Sequence, residues 1–392
     1  MCKGILSLWA LVTLVLTTLC LILLPVAAVA GDDLALWEGA CAKIDAGDLV
    51  GAGSLLAQLL EQYPLSPKAP AAQLKLAYIK IKLRPDSTQE ILDAFSLVRM
   101  KYPTSSEAAE ALVRIGYLHS KTDTAQAVTD FTTFVSSYPG HTLAAEVQQS
   151  LGRLYLRTLE LDKAEVAFDR VSTIAGAPIE VVEEGALQSG FVKIMKYYAS
   201  RDRSYLTAAI EALGALTSSS KVNIRARADL GIAEAMLLQG MALEAREEYR
   251  SAAQVYSEHS YFKGLALYGV ACCSEHARDV YAAVNGYDDF LAAQEGAAIA
   301  EKDAAWKSAA LASTSESAQI SVQRDGAWER LPGSGLVCES VYSQSKCLYR
   351  LERYDEAITK LTELVAYLPE ATDLRAQADE LLERCRKAIG GN

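Results

Sequence analysis

Apolar positions along this chain recur every three to four residues, the period of one helix face, and no sustained alternation of period two interrupts them. Runs such as Leu56-Leu59-Leu60, Phe95-Val98 and Phe131-Phe134-Val135 each end at a Tyr-Pro pair, Tyr63-Pro64, Tyr102-Pro103 and Tyr138-Pro139, with spacings of 39 and 36 residues. Proline cannot continue a helix and restricts the residue before it, so each pair predicts a helix end. Ser, Thr or Gly follows, and then an Ala-rich run predicts the next helix. The pattern is helix, turn, helix, repeated.

The clearest copy runs from Ala144 to Pro178, where Leu151-Gly152 is followed by Tyr155, Ala164, Phe168 and Val171. Glycine or alanine lets two helices approach, and a large side chain wedges the space beside them. The same logic joins Gly116 to Ala127 and Phe131, Gly231 to Ala245 and Tyr249, and Gly269 to Ala283 and Tyr287. In the last hairpin Ala357 precedes Leu361, Leu364 and Pro369, which brings the total to eight hairpin patterns.

A large residue beside Gly, an aromatic, then Ala and an aromatic four apart, and finally Pro: this order resembles the tetratricopeptide repeat (TPR). The resemblance implies an all-α fold, a TPR-like right-handed α-solenoid of stacked helix-turn-helix hairpins. It also implies a concave surface lined by the first helix of each pair, which holds protein partners and uses no cofactor. Between Leu34 and Val171 the Tyr-Pro endings and following Ala-rich helices are similar to two exported bacterial groups. These are the repeat lipoprotein of the outer-membrane β-barrel assembly machinery and the Tol-Pal-associated periplasmic protein. A generic adaptor of the bacterial cell envelope is the reading they support.

The ends and one internal stretch depart from the repeat. Lys3 precedes an uncharged run from Ile5 to Leu24, then Pro25 and Ala28-Val29-Ala30. That order predicts a signal peptide or an N-terminal membrane anchor over 1–30, with the following residues exported to the periplasm or held on its side of the inner membrane. Residues 31–291 then form a divergent array, 292–336 a helical insertion with a loop, and 337–392 the terminal hairpin with its capping helix. Gly333-Ser334-Gly335 lacks the Gly-Lys-Ser/Thr of a phosphate loop and reads as a turn.

Charge narrows the partners. A formal net charge of −11 speaks against nucleic acid as a partner and for a protein one. Six cysteines follow residue 30, none in a C-x-x-C pair. They read as small buried residues, with a disulfide among Cys338, Cys347 and Cys385 as the alternative. The four histidines are scattered and the paired carboxylates Glu183-Glu184, Glu247-Glu248 and Asp288-Asp289 lack nucleophile or metal-ligand spacing. No catalytic or metal site is predicted.

The binding residues follow from counting two and six positions beyond the large-small pair in each first helix. That count selects Tyr78 and Lys82, Tyr117 and Lys121, then Arg153 and Arg157, a basic and aromatic stripe in an acidic chain. It predicts a grip on a partner's acidic segment. The alternative is a solute- or glycan-binding module built around Trp306 and Trp328.

Overall fold

A computed structural model describes residues 32–304 and 336–390, apart from Ala297, Ala300 and Ala371. The segment 1–30, most of 292–336, and with it Trp306 and Trp328, lie outside the described residues. Those described form an all-α repeat fold of helices joined by short turns, with no strand among them. The chain divides into two units, one reaching to Val147 and one starting at Gln148.

The first unit holds α1 (32–45), α2 (Leu49–Gln62), α3 (Ala69–Leu83), α4 (Thr88–Lys101), α5 (Ser106–Thr122) and α6 (Thr124–Ser137). The division falls within α7 (Ala144–Arg157). Side-chain caps start several of these helices: Asp48 accepts from the Gly51 N–H at 2.8 Å and Asp123 from the Gln126 N–H at 3.0 Å. The Tyr of every Tyr-Pro pair ends one. Tyr63, Tyr102 and Tyr138 share φ of −130° to −132° and ψ of 54° to 56°, outside the helical region, which the following proline enforces. Their N–H groups still donate to the carbonyls of Leu59, Val98 and Phe134, and their own carbonyls accept from Ser66, Ser105 and His141. One turn is thus built three times.

Small residues set the distance between helices. A Cβ on Gly116 would stand 2.6 Å from Phe131 Cδ1, so the buried Phe131 ring lies directly over bare backbone. Successive first helices also touch, α3 against α5. Leu74, Ala77, Ile91, Phe95, Val98 and Ile115 pack as one cluster between α3, α4 and α5.

The second unit continues through α8 (Leu161–Val171), α9 (Ile179–Ser200), α10 (Ser204–Gly214), α11 (Val222–Leu238), α12 (Ala242–Val255), α13 (Ser260–His276) and α14 (Val280–Ala292). After the segment that is not described come α15 (Leu336–Arg350), α16 (Tyr354–Tyr367) and α17 (Asp373–Gly390). A Cβ on Gly152 would stand 2.7 Å from Phe168 Cε1, within one hairpin. Leu151, Ala164 and Phe168 are buried there, and the half-buried Tyr155 packs against the cluster that holds Ala164 and Phe168. At Gly231 the close atoms instead come from Leu213 and Phe191, and at Gly269 from Tyr249, all in the preceding hairpin. Ala245 and Ala357 are fully buried.

One core runs from Ala226 in α11 to Cys385 in α17. α14 packs on α15, and Gln344 Nε2 donates to the Val284 carbonyl at 3.2 Å, so the last hairpin joins the array directly. Cys338, Cys347 and Cys385 sit in this core as free thiols, 0 to 2% exposed, and the bridge considered from sequence is not formed. They act as small apolar side chains, and burial pushes the Cys347 thiol up to about 11.

Six of the corners inside the hairpins carry a left-handed residue, the exceptions being those of α3–α4 and α5–α6. Gly47 and Gly240 fill this role at φ of 79° and 89°, and at equivalent corners Leu159, Arg201, Arg278 and Glu352 adopt φ of 59° to 62°.

Candidate protein-binding groove

In the first unit the first helices of successive hairpins leave an open groove of about 570 Å³. Trp37 comes from α1, Lys75 and Tyr78 from α3, Glu107, Glu110 and Arg114 from α5, and His141 from the turn after α6. Spacings of three and four residues place each helix's contributors on one face.

Cations flank the two rings. Lys68 and Lys75 stand 5.6 and 5.4 Å from the Trp37 ring centroid. The Arg114 guanidinium lies 5.2 Å above the Tyr78 ring, and its Nε donates to the Tyr78 hydroxyl at 2.5 Å. That hydroxyl in turn donates to Glu110 Oε1. Burial, then the hydrogen bond to Glu110, pushes the Tyr78 hydroxyl up to about 12, so it stays a donor at neutral pH. The ring is fixed from below by an edge contact to Phe95, 5.5 Å between centroids at 86°. The result is a rigid floor of aromatic rings with Lys75 and Arg114 beside Glu107 and Glu110, suited to a polar peptide with an apolar anchor.

Of the stripe chosen by counting, Tyr78 lines this groove. Lys82 and Lys121 are exposed in the last turns of α3 and α5. Tyr117 is half-buried with its edge on Phe131, 5.1 Å between centroids, so its ring belongs to the hairpin interior. Arg153 and Arg157 are half-buried on α7, each engaged by a partner within the structure. Lys75 lies one residue before the large-small pair of α3, and Arg114 and Glu110 one and five residues before that of α5. These are the same faces as those of Lys82 and Lys121, displaced two turns toward the helix N-termini. Trp37 carried a signal of its own, as an aromatic in the first amphipathic run.

Elsewhere, three of the paired carboxylates are engaged within the structure. Glu183 accepts from Ser219 at 3.0 Å, Glu184 pairs with Arg227 at 3.0 Å and Asp288 with Lys360 at 3.5 Å. His119 Nδ1 meets Asp130 at 2.6 Å across the α5–α6 hairpin. Among the described residues no group of three or more His, Cys, Asp or Glu is placed to hold a metal. No described helix is long and apolar enough to cross a membrane.

Residues 110–141, from the groove face of α5 through α6 to His141, match the Tetratricopeptide repeat family. This segment is similar to that repeat. No curated protein matches the chain in sequence. Among solved structures the chain is similar to a tetratricopeptide repeat protein from Parabacteroides merdae, at 15% identity over 90% of this chain and 98% of that one, with a TM-score of 0.33. It is also similar to the apo form of RapI, at 10% identity over 92% and 99% and a TM-score of 0.46. The TPR domain of P58(IPK) aligns at 13% identity over 92% and 99%, with a TM-score of 0.29.

Proposed function

We propose that this protein is a non-catalytic scaffold of the bacterial cell envelope, which holds a segment of a partner protein in the groove between α1, α3 and α5. The observation that carries the reading is the groove itself, with Trp37 and Tyr78 as ring anchors and Lys75, Arg114, Glu107 and Glu110 as charged positions above them. Lys82 and Lys121 continue the same helix faces and extend the contact toward the exposed helix ends; in the second unit, Arg153 and Arg157 are candidate contacts in their own right. An envelope location is supported by Lys3, the uncharged run Ile5–Leu24 and Ala28-Val29-Ala30. The chain is exported, and stays periplasmic after cleavage or anchored in the inner membrane facing the periplasm.

The test is capture of partners from solubilised envelopes with the full chain. A charge-assisted contact contributes about 1.5–3 kcal/mol, so Lys75→Ala with Arg114→Ala weakens capture about 100-fold or more while the helical signal is kept. Trp37→Ala has the same direction. Charge reversal at the exposed Glu247 and Glu248 on α12 leaves capture unchanged. Retention by the first variant together with loss on charge reversal assigns partner binding to the second helices and ends the groove reading.

A further inference from the structure

A second concentration of cations around a cavity lies in the other unit, between α15 and α17. The cavity measures about 230 Å³ and is lined by Tyr342, Lys346, Tyr349 and Arg350 from α15 and by Glu380 and Arg384 from α17. Spacings of three and four residues on α15, and of four on α17, direct both sets into the same space. Lys346 Nζ stands 5.3 Å from the Tyr342 centroid, and the Arg384 guanidinium 4.8 Å from that of Tyr349.

The cations on α15 are braced from behind. Glu275 of α13 places Oε1 3.6 Å from both Lys346 Nζ and Arg350 Nη1, while its Oε2 accepts the Tyr287 hydroxyl at 3.1 Å. A separation of 3.6 Å holds charge in place yet is longer than a hydrogen bond, so neither contact uses up an N–H donor. One internal carboxylate thus steadies two cations and leaves their donors available. Held side chains lose little further freedom when a ligand arrives.

Three cations meet two carboxylates here, Glu380 in the cavity and Glu275 behind it, in a chain whose formal net charge is −11. The local sign therefore runs against the composition. Small-molecule sites enclose roughly 300–1,000 Å³. This cavity is smaller and suits one or two side chains delivered by a larger body.

We propose that the last hairpin and its capping helix form a second binding site, which takes the side-chain carboxylates of an acidic segment of a partner protein between Lys346, Arg350 and Arg384. The site is separate from the α1–α5 groove, and different variants report on the two.

The experiment is fluorescence anisotropy of the full chain in mild detergent, with a fluorescein-labelled, C-amidated peptide of alternating Glu and Gly as the probe. Binding is expected to weaken with added salt and to vanish for the Gln counterpart. It is expected to fall about tenfold or more in Lys346→Ala with Arg384→Ala. Arg384→Gln alone shifts it in the same direction and disturbs a single exposed side chain. Lys75→Ala with Arg114→Ala leaves it unchanged, so failure of this site and failure of the groove are distinguishable. Equal binding of the Gln peptide overturns the proposal. So does a Gln peptide with a free carboxyl end that binds as tightly as the Glu peptide, or unchanged affinity in both the double variant and Arg384→Gln.

Discussion

A Cβ on Gly152 would meet Phe168 Cε1 at 2.7 Å, whereas on Gly53 in α2 the nearest atom, Leu76 Cδ2, is 3.9 Å away. One substitution therefore has opposite signs at two helical positions. Gly152→Ala is expected to destabilise by about 1–3 kcal/mol, because the buried ring must move. Gly53→Ala is expected to stabilise by about 0.5–1 kcal/mol through helix propensity alone. Urea unfolding of the two variants checks both signs, and a shift in the same direction for both contradicts the packing described. The Gly152 contact was legible in sequence, since a small residue and an aromatic at the intervals of one hairpin imply each other. The contacts of Gly231 and Gly269 were not, because periodicity marks a close approach without saying which hairpin approaches. Lys75 and Arg114 stayed hidden for a related reason: the face was readable, but its position along the axis depends on how neighbouring helices are staggered.

Among the elements, α11 carries an acid in an unusual state. Burial pushes the Glu234 carboxyl up to about 7, opposed by a hydrogen bond from the Tyr198 hydroxyl of α9 at 3.2 Å. Tyr249 of α12 senses the charge of Glu234, and burial pushes its own hydroxyl well up, so it is neutral near pH 7. The folded chain keeps a proton here that the unfolded chain releases near the ordinary carboxylate value. Stability is therefore expected to fall as pH rises from about 4.5 to about 7, and to level off above. Glu234→Gln removes that slope and is more stable than the parent by roughly 2–3 kcal/mol above pH 7, checked by denaturant titrations at pH 5 and pH 8. Thiols on the packed helices follow from the same burial. Cys272 and Cys347 are both raised to about 11, which leaves about one thiolate in a thousand at pH 8. Both are expected to resist iodoacetamide in the native chain and to label after denaturation, as counted by mass spectrometry. The helices themselves were legible because Tyr-Pro ends them by a local backbone constraint. The state of Glu234 was not, since a lone Glu on an amphipathic run looks solvated until another helix covers it.

Within each unit, helices that follow one another in sequence pack together, which is why a reading by period recovered their order. The apolar N-terminal run predicts a start at Gly31 or retention in the membrane, and terminal sequencing of protein from envelope fractions decides between them. Full-length protein recovered from the cytoplasm overturns export. The left-handed corners carry a different consequence, for how much heat the chain can be made to tolerate. Leu159, Arg201, Arg278 and Glu352 hold a backbone conformation that costs a side chain roughly 1–2 kcal/mol, against roughly 0.5–1 kcal/mol for the extra freedom glycine loses on folding. Arg201 gives back part of the difference by stacking on Tyr197 and Tyr198. The corners are distant in sequence and share no partner, so Gly at all four adds to about 1–3 kcal/mol and a higher melting temperature. None of them lines either cavity, which makes thermal tolerance a property that can be tuned here while recognition is left as it is.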